Sequence, residues 1–259
     1  MTEWDATGYA RVATLQEAMA DEALAGLRGR GRREGVLDLG CGDGKITAKI
    51  ATLFSTAKVV GVDASAEMIA LASQTFPREQ YPNLRFQVAD IRYLRFSDEF
   101  YLVVSFNALH WIPDQYSALR AIYFALKPEG IAYLRLVPDG ERKSLETVIE
   151  EARQSSRWAG CFQDFRDPYL HVTPEQYAAL AEENGFRVVE THTADKAWNF
   201  GSRAKFEAFA MVTFVEWTKR LPEDKRLAFV RDVLNRYREV SGEESIFRFY
   251  QMGVALKRA

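Results

Sequence analysis

Two cysteines and three histidines in 259 residues leave little material for covalent staples or metal chemistry. Cys41 and Cys161 lie far apart and form neither a disulfide framework nor a metal pattern. His110, His171 and His192 are widely separated, and no His/Asp/Glu cluster has ligand spacing, so no metal is expected. No apolar run approaches the roughly 18 residues of a membrane span. The start, Met1-Thr2-Glu3-Trp4-Asp5, has neither a basic nor an apolar leader region. A reducing, cytoplasmic setting is the expectation. A net charge of −2 gives no general attraction to nucleic acid or anionic lipid. What is present is ordinary for a folded chain: 47% hydrophobic, 27% charged and 13% aromatic residues exclude disordered and collagenous classes. At this length a core buries about three quarters of the unfolded surface without help.

Residues 3–28 read as one or two amphipathic helices, with Val12, Leu15, Met19, Ala23 and Leu27 at helical spacing. A basic, glycine-punctuated stretch, 28–33, follows as a solvated hinge. Strand and helix then alternate. Strands are predicted at 36–39, 58–62, 84–88, 101–106 and 131–137, with helices at 45–54, 66–75 and 116–126. Unbroken apolar strands in βα repeats imply a parallel sheet covered on both faces. Beyond residue 140 the rhythm changes. Helices near 143–156 and 174–184 flank the aromatic stretch 158–169; a strand near 187–193 follows Gly185. A long helical block, 202–240, precedes a closing strand at 247–256. The expected organisation is one domain, 1–259. It divides into a helical cap at 1–33, a cofactor-binding core at 34–140, a helical and aromatic lid with the sixth strand at 141–245, and the last strand at 246–259.

The most informative segment runs from Val36 to Ile46, a buried strand passing through three glycines into a helix. Gly40, Gly42 and Gly44 stand as G-x-G-x-G, which fits neither the dinucleotide fingerprint nor the P-loop. Asp43 falls near the helix N-terminus, where a pyrophosphate would have to sit, and Asp38 adds a second negative charge. Such a pocket suits a cation.

Asp38-Leu-Gly-Cys-Gly-Asp-Gly44 resembles motif I of the class I S-adenosylmethionine-dependent methyltransferases. Val59–Asp63, Phe86–Ile91 and Val103–Asn107 match the following strands in order and spacing, and Leu126–Ile131 resembles the usual turn into the fifth strand. The resemblance covers about residues 34–138 and implies an α/β, Rossmann-like fold: a seven-stranded mixed sheet with helices on both faces and a helical lid insertion. The implied cofactor is S-adenosylmethionine, leaving S-adenosylhomocysteine. It further implies that Asp38 and the carbonyls of Gly40 and Gly42, with Cys41 between them, face the methionine ammonium and the sulfonium. Asp63 would accept both ribose hydroxyls, as one carboxylate can. Asp90 would accept from the adenine amine and the Ile91 N–H would donate to the ring. Ala64 and Met68 would pack on the adenine, and Asn107 and Ala108 would line the methionine end.

The acceptor should then meet the cofactor beyond the strand carboxyl ends, near His110-Trp111. This pair resembles the small-molecule carboxyl methyltransferases, the trans-aconitate and juvenile-hormone-acid group; the segment containing Tyr9 and Gln16 resembles the latter. A carboxylate acceptor is already anionic and needs no base. Donors from Trp111, Gln16 and an arginine suffice to orient it, whereas a hydroxyl or amine would call on His110 as base. Arg166, His171, Arg203 and Arg248 are candidate anion clamps, and Tyr9 and Trp198 candidate substrate contacts. Most of the later aromatics read as core, with a few facing an apolar pocket. The expected partner is a small molecule, without nucleic acid or a membrane span, acting on a monomer or homodimer. The rivals are an O- or N-methyltransferase of a natural product, a protein methyltransferase, and a cofactor-binding protein without transfer activity.

Overall fold

A computed structural model describes residues 14–27 and 34–258. Helix α1 (Thr14–Leu27) precedes the repeat β1 (Gly35–Leu39), α2 (Lys45–Leu53), β2 (Lys58–Asp63), α3 (Ala66–Thr75) and β3 (Leu84–Val88). Then come β4 (Phe100–Phe106), α4 (Gln115–Ala125), β5 (Leu126–Leu136), α5 (Leu145–Arg153), α6 (Pro174–Glu183) and β6 (Phe186–Asn199). Helices α7 (Arg203–Thr213), α8 (Val215–Thr218) and α9 (Glu223–Ser241) lead to β7 (Ile246–Arg258). The strands form one seven-stranded sheet in the order β3-β2-β1-β4-β5-β7-β6, and β1 to β5 are parallel. β7 enters antiparallel between β5 and β6. The sheet is therefore mixed, as the motifs implied.

Alternate residues of the central strands serve opposite faces, as the two-residue period requires. Leu37 and Leu39 of β1 pack with Leu119 and Ile122 of α4 and Tyr177 of α6. Val36 packs on the other face with Ala48 and Ile50 of α2 and Leu27 of α1. Both faces are thus covered, and each fully buried aliphatic side chain contributes about 1.5–3 kcal/mol. Local chemistry sets the helix starts: Ser65 caps α3 through Met68 N at 3.3 Å, and Thr173 and Gln176 form a capping box with Pro174 behind the cap.

A third cluster is built from the later aromatics. Trp158, Phe162, Tyr169, Phe206, Phe209, Phe214 and Trp217 are buried together with Phe247 and Phe249 of β7, while Phe165, Trp198 and Phe200 pack at its edge. Two indoles are pinned by acids: Trp158 Nε1 donates to Asp232 at 2.8 Å and Trp217 Nε1 to Glu150 at 2.7 Å.

The structure departs from the sequence expectation in three places, the first being β5, which begins at Leu126 and so includes residues 126–130 ahead of the expected start at 131. The block at 202–240 is three helices, because the backbone leaves helical geometry at Phe214 and Pro222 begins a new N-terminus. The sixth strand runs to Asn199, well past 193; its polar, alanine-bearing second half is held by β7 pairing down to Asn199↔Ile246 and by no propensity of its own. Of the helices expected within 3–28, the part before Thr14 lies outside the described residues.

Candidate active site

Parallel strands bring their carboxyl ends to one edge, and there a cavity of about 430 Å³ opens. Gly40 and Gly42 after β1, Asp63 and Ala64 after β2, Asp90 and Ile91 after β3, and Asn107 and Ala108 after β4 all line it. Met68 of α3 lines it as well. Nine of the sequence-derived cofactor residues thus meet in one space. Leu15, Met19, Leu145, Tyr169, Phe209, Phe214, Phe247 and Phe249 close the opposite side.

The loop after β1 has little freedom. Gly40 sits at φ +72°, and a Cβ there would collide with the Ala108 Cβ. Gly44, at φ +80°, lies against Phe86 and Ala72 with no room for a side chain. The N–H groups of Gly40 and Cys41 donate to Val62 O at 2.8 and 3.0 Å, and Gly42 N donates to Asp63 Oδ2 at 2.9 Å. Asp63 Oδ1 also accepts from Ser65 N at 2.9 Å, so one carboxylate ties two loops together at the cavity wall.

Two residues of the expected set are placed differently. Asp38 is buried beneath the loop, outside the cavity lining; its Oδ2 accepts from Thr47 at 2.7 Å, and burial lifts its carboxyl to about 7. It fastens β1 to α2. Cys41 also lies off the cavity, its thiol pushed well up by burial. Asp90 lines the cavity, but Arg92 clasps both its oxygens, with the closest approach at 2.6 Å, and holds the carboxyl below its usual range.

His110 and Trp111 line the cavity together. His110 Nδ1 accepts from the Val137 N–H at 3.3 Å, which assigns the ring proton to Nε2. Burial pushes this imidazole down to about 3. It is therefore a neutral N–H donor with its one lone pair engaged, an arrangement suited to donating a hydrogen bond. Trp111 stands edge-on to Tyr169 at 5.3 Å and to Trp217 at 6.1 Å.

The anticipated anion clamps are elsewhere. Arg166 is exposed and His171 is held between Asp139 and Asp167, at 3.4 and 2.9 Å, which raises it to about 10. Arg203 bonds Glu207 and Asn235, Arg248 bonds Ser241 O, and Trp198 packs on the aromatic cluster. None of these five lines the cavity. His171, Arg203 and Arg248 are bound to partners outside the cavity, and Arg166 is exposed. Tyr9 and the Gln16 side chain lie outside the described residues.

Sequence reasoning missed Arg92, Glu146, Glu216 and Lys219, which all line the cavity. Glu146 and Glu216 each keep one buried oxygen without a hydrogen-bond partner, and Lys219 pairs with Glu216 at 2.5 Å. Only Arg92 had a local signal, two residues beyond a strand-end acid. Among the described residues no three His, Cys, Asp or Glu side chains come together as a metal site, and no helix is long and apolar enough to cross a membrane.

Residues 36–130 match the methyltransferase-domain family, the span that builds four strand ends of this cavity. The match supports the resemblance to the class I S-adenosylmethionine-dependent methyltransferases. It is 36% identical over 155 residues to trans-aconitate 2-methyltransferase of Deinococcus radiodurans, covering 58% of this chain and 57% of that one. It is 30% identical over 152 residues to malonyl-[acyl-carrier protein] O-methyltransferase of Bacillus cytotoxicus, covering 58% and 52%. Each match spans little more than half of the relative's length. Phosphoethanolamine N-methyltransferase 2 of Haemonchus contortus shares the fold, with a TM-score of 0.63 at 18% identity over 98% of this chain and 57% of that one. The residues expected to hold the cofactor thus lie at the strand ends, and aromatic side chains of the second half close the other side of the cavity.

Proposed function

We propose that this methyltransferase transfers the methyl group to the carboxylate of a small, largely apolar acid. The observation that carries this reading is the state of His110: neutral, with Nδ1 taken by the Val137 N–H, it offers a proton donor and no base. A carboxylate is ionised at neutral pH and needs none. Two relatives bear the names of acids, trans-aconitate and malonyl-[acyl-carrier protein], which supports the same choice.

S-adenosylmethionine, when bound, supplies the activated methyl group; the chain supplies position and dryness. The cavity fits this cofactor by its donors and acceptors: no phosphate site is present at Asp43, and Asp63 presents a carboxylate suited to a diol. Asp63 would hold the ribose, Ala64, Met68 and Ile91 the adenine, and Asp90 the adenine amine by sharing an oxygen with Arg92. The loop from Gly40 to Gly42, with Asn107 and Ala108, would hold the methionine end. The Nε2–H of His110 and the indole of Trp111 orient the acceptor oxygens, and Gln16 is kept as a third donor. Helices α5 and α7 to α9 act as the lid that keeps water out, within a single domain.

His110→Asn tests the reading. The rate should fall less than about tenfold, and the pH profile between 6 and 9 should keep the same shape in both proteins. A loss of about 10²–10⁴-fold, with a wild-type rate that rises through the ordinary histidine range and a variant that loses this rise, would show a general base and overturn it.

A further inference from the structure

The acceptor end of the cavity is walled by aromatic rings, yet two carboxylates stand in that wall. Glu146, in the first turn of α5, lies beside Leu145 and Tyr169; its Oε2 is buried and has no hydrogen-bond partner. Glu216 of α8 likewise keeps Oε1 buried and unpartnered, while Lys219 takes its other oxygen. A buried acceptor left unsatisfied costs about 1–3 kcal/mol, a debt that folds carry where a ligand settles it. The two cations in the wall among the described residues, Arg92 and Lys219, are already matched by Asp90 and Glu216. A second or third carboxylate on the substrate would therefore face Glu146 or Glu216 without a counter-charge.

We infer that the acid methylated here is a monocarboxylate carrying a hydrogen-bond donor, a hydroxyl or an ammonium group, at its far end, and that Glu146 receives that donor. This rests on the carboxylate reading above and narrows it. A polycarboxylate such as the relatives' trans-aconitate is excluded by the same wall. Burial lifts Glu146 to about 7, so near neutrality it exists in both forms, and both retain a carbonyl-type oxygen that accepts. Glu146 is thus a specificity residue, distant in role from the donors that orient the reacting carboxylate.

Calorimetric titration of the protein saturated with S-adenosylhomocysteine tests this with matched ligands: hexanoate, its ω-hydroxy and ω-amino derivatives, and propane tricarboxylate. One ω-substituted acid should bind at least about tenfold tighter than hexanoate, the gain of a hydrogen bond to a charged group. The tricarboxylate should bind weakest. Glu146→Leu should erase that preference, with hexanoate bound at least as tightly as either ω-substituted acid. Glu146→Gln, which folds with least disturbance, should keep a preference for the hydroxyl but lose one for the ammonium, which tells the two donors apart. Tightest binding by the tricarboxylate, or a preference that survives Glu146→Leu, overturns the inference. Hexanol or hexylamine binding as tightly as the acids, with the Glu146→Leu loss intact, instead removes the carboxylate reading while Glu146 keeps its assignment.

Discussion

Asp63→Ala should lower the affinity for S-adenosylhomocysteine about ten- to a hundredfold, the loss of roughly 1.5–3 kcal/mol from removing a charged acceptor. The carboxylate works twice. It holds the Gly42 N–H and the Ser65 N–H, each at 2.9 Å, and so fixes the two loops that border the cavity. It also stands at the wall where a ribose would offer two hydroxyls to one acceptor. Asp63→Asn keeps one accepting oxygen and should lose less. Isothermal titration separates the two variants; an alanine variant that binds with wild-type affinity removes Asp63 from the cofactor site. Thermal unfolding without ligand should change little in Asp63→Asn, which separates the binding loss from a folding loss.

Trp217→Ala should cost about 3–5 kcal/mol of stability and lower Tm by on the order of 10 °C. The indole has no exposure, packs against Trp111, Phe165 and Phe214, and donates to Glu150 at 2.7 Å. Alanine leaves a large cavity and strips a buried acid of one donor. Trp217→Phe retains most of the volume and should cost about 1–3 kcal/mol, the loss of one hydrogen bond to Glu150, whose Oε1 keeps Arg153 Nε at 3.1 Å. Because Trp217 also backs Trp111 on the cavity wall, the acceptor KM in Trp217→Phe should rise more than the cofactor Kd. A denaturant series and steady-state kinetics provide both readings; a neutral Trp217→Ala would mean that the aromatic cluster does not hold the second half together.

The cofactor half of the site was legible because its signals are local. Each strand ends in a short apolar run followed by a small or acidic residue, so Gly40, Asp63, Asp90 and Asn107 could be placed by counting along the chain, and the sheet order brings them together. Asp38 looked the same in sequence as Asp63. Only the fold shows that it points into the layer holding Thr47, away from the cavity lining. The acceptor half resisted because its residues converge from distant segments. Glu146 reads as an ordinary acid in a first helical turn, and Glu216 with Lys219 as an ordinary surface pair at helical spacing. The arginines singled out as clamps, Arg166 and Arg203, lie off the cavity lining, the first exposed and the second bound to neighbouring helices. The role of His110 turned on one backbone contact, Val137 N–H to Nδ1, across 27 positions of chain. No spacing rule contains that information.

The most direct measurement follows where the methyl group goes. The protein is incubated with methyl-tritiated S-adenosylmethionine and the ω-hydroxy and ω-amino hexanoates, which offer a carboxylate and a hydroxyl or amine in one molecule, and the product is treated with mild alkali. A carboxylate acceptor gives a methyl ester, and its label should leave as volatile methanol. Label that stays with the acid after alkali is a methyl ether or an N-methyl group, and that result would contradict the carboxylate assignment.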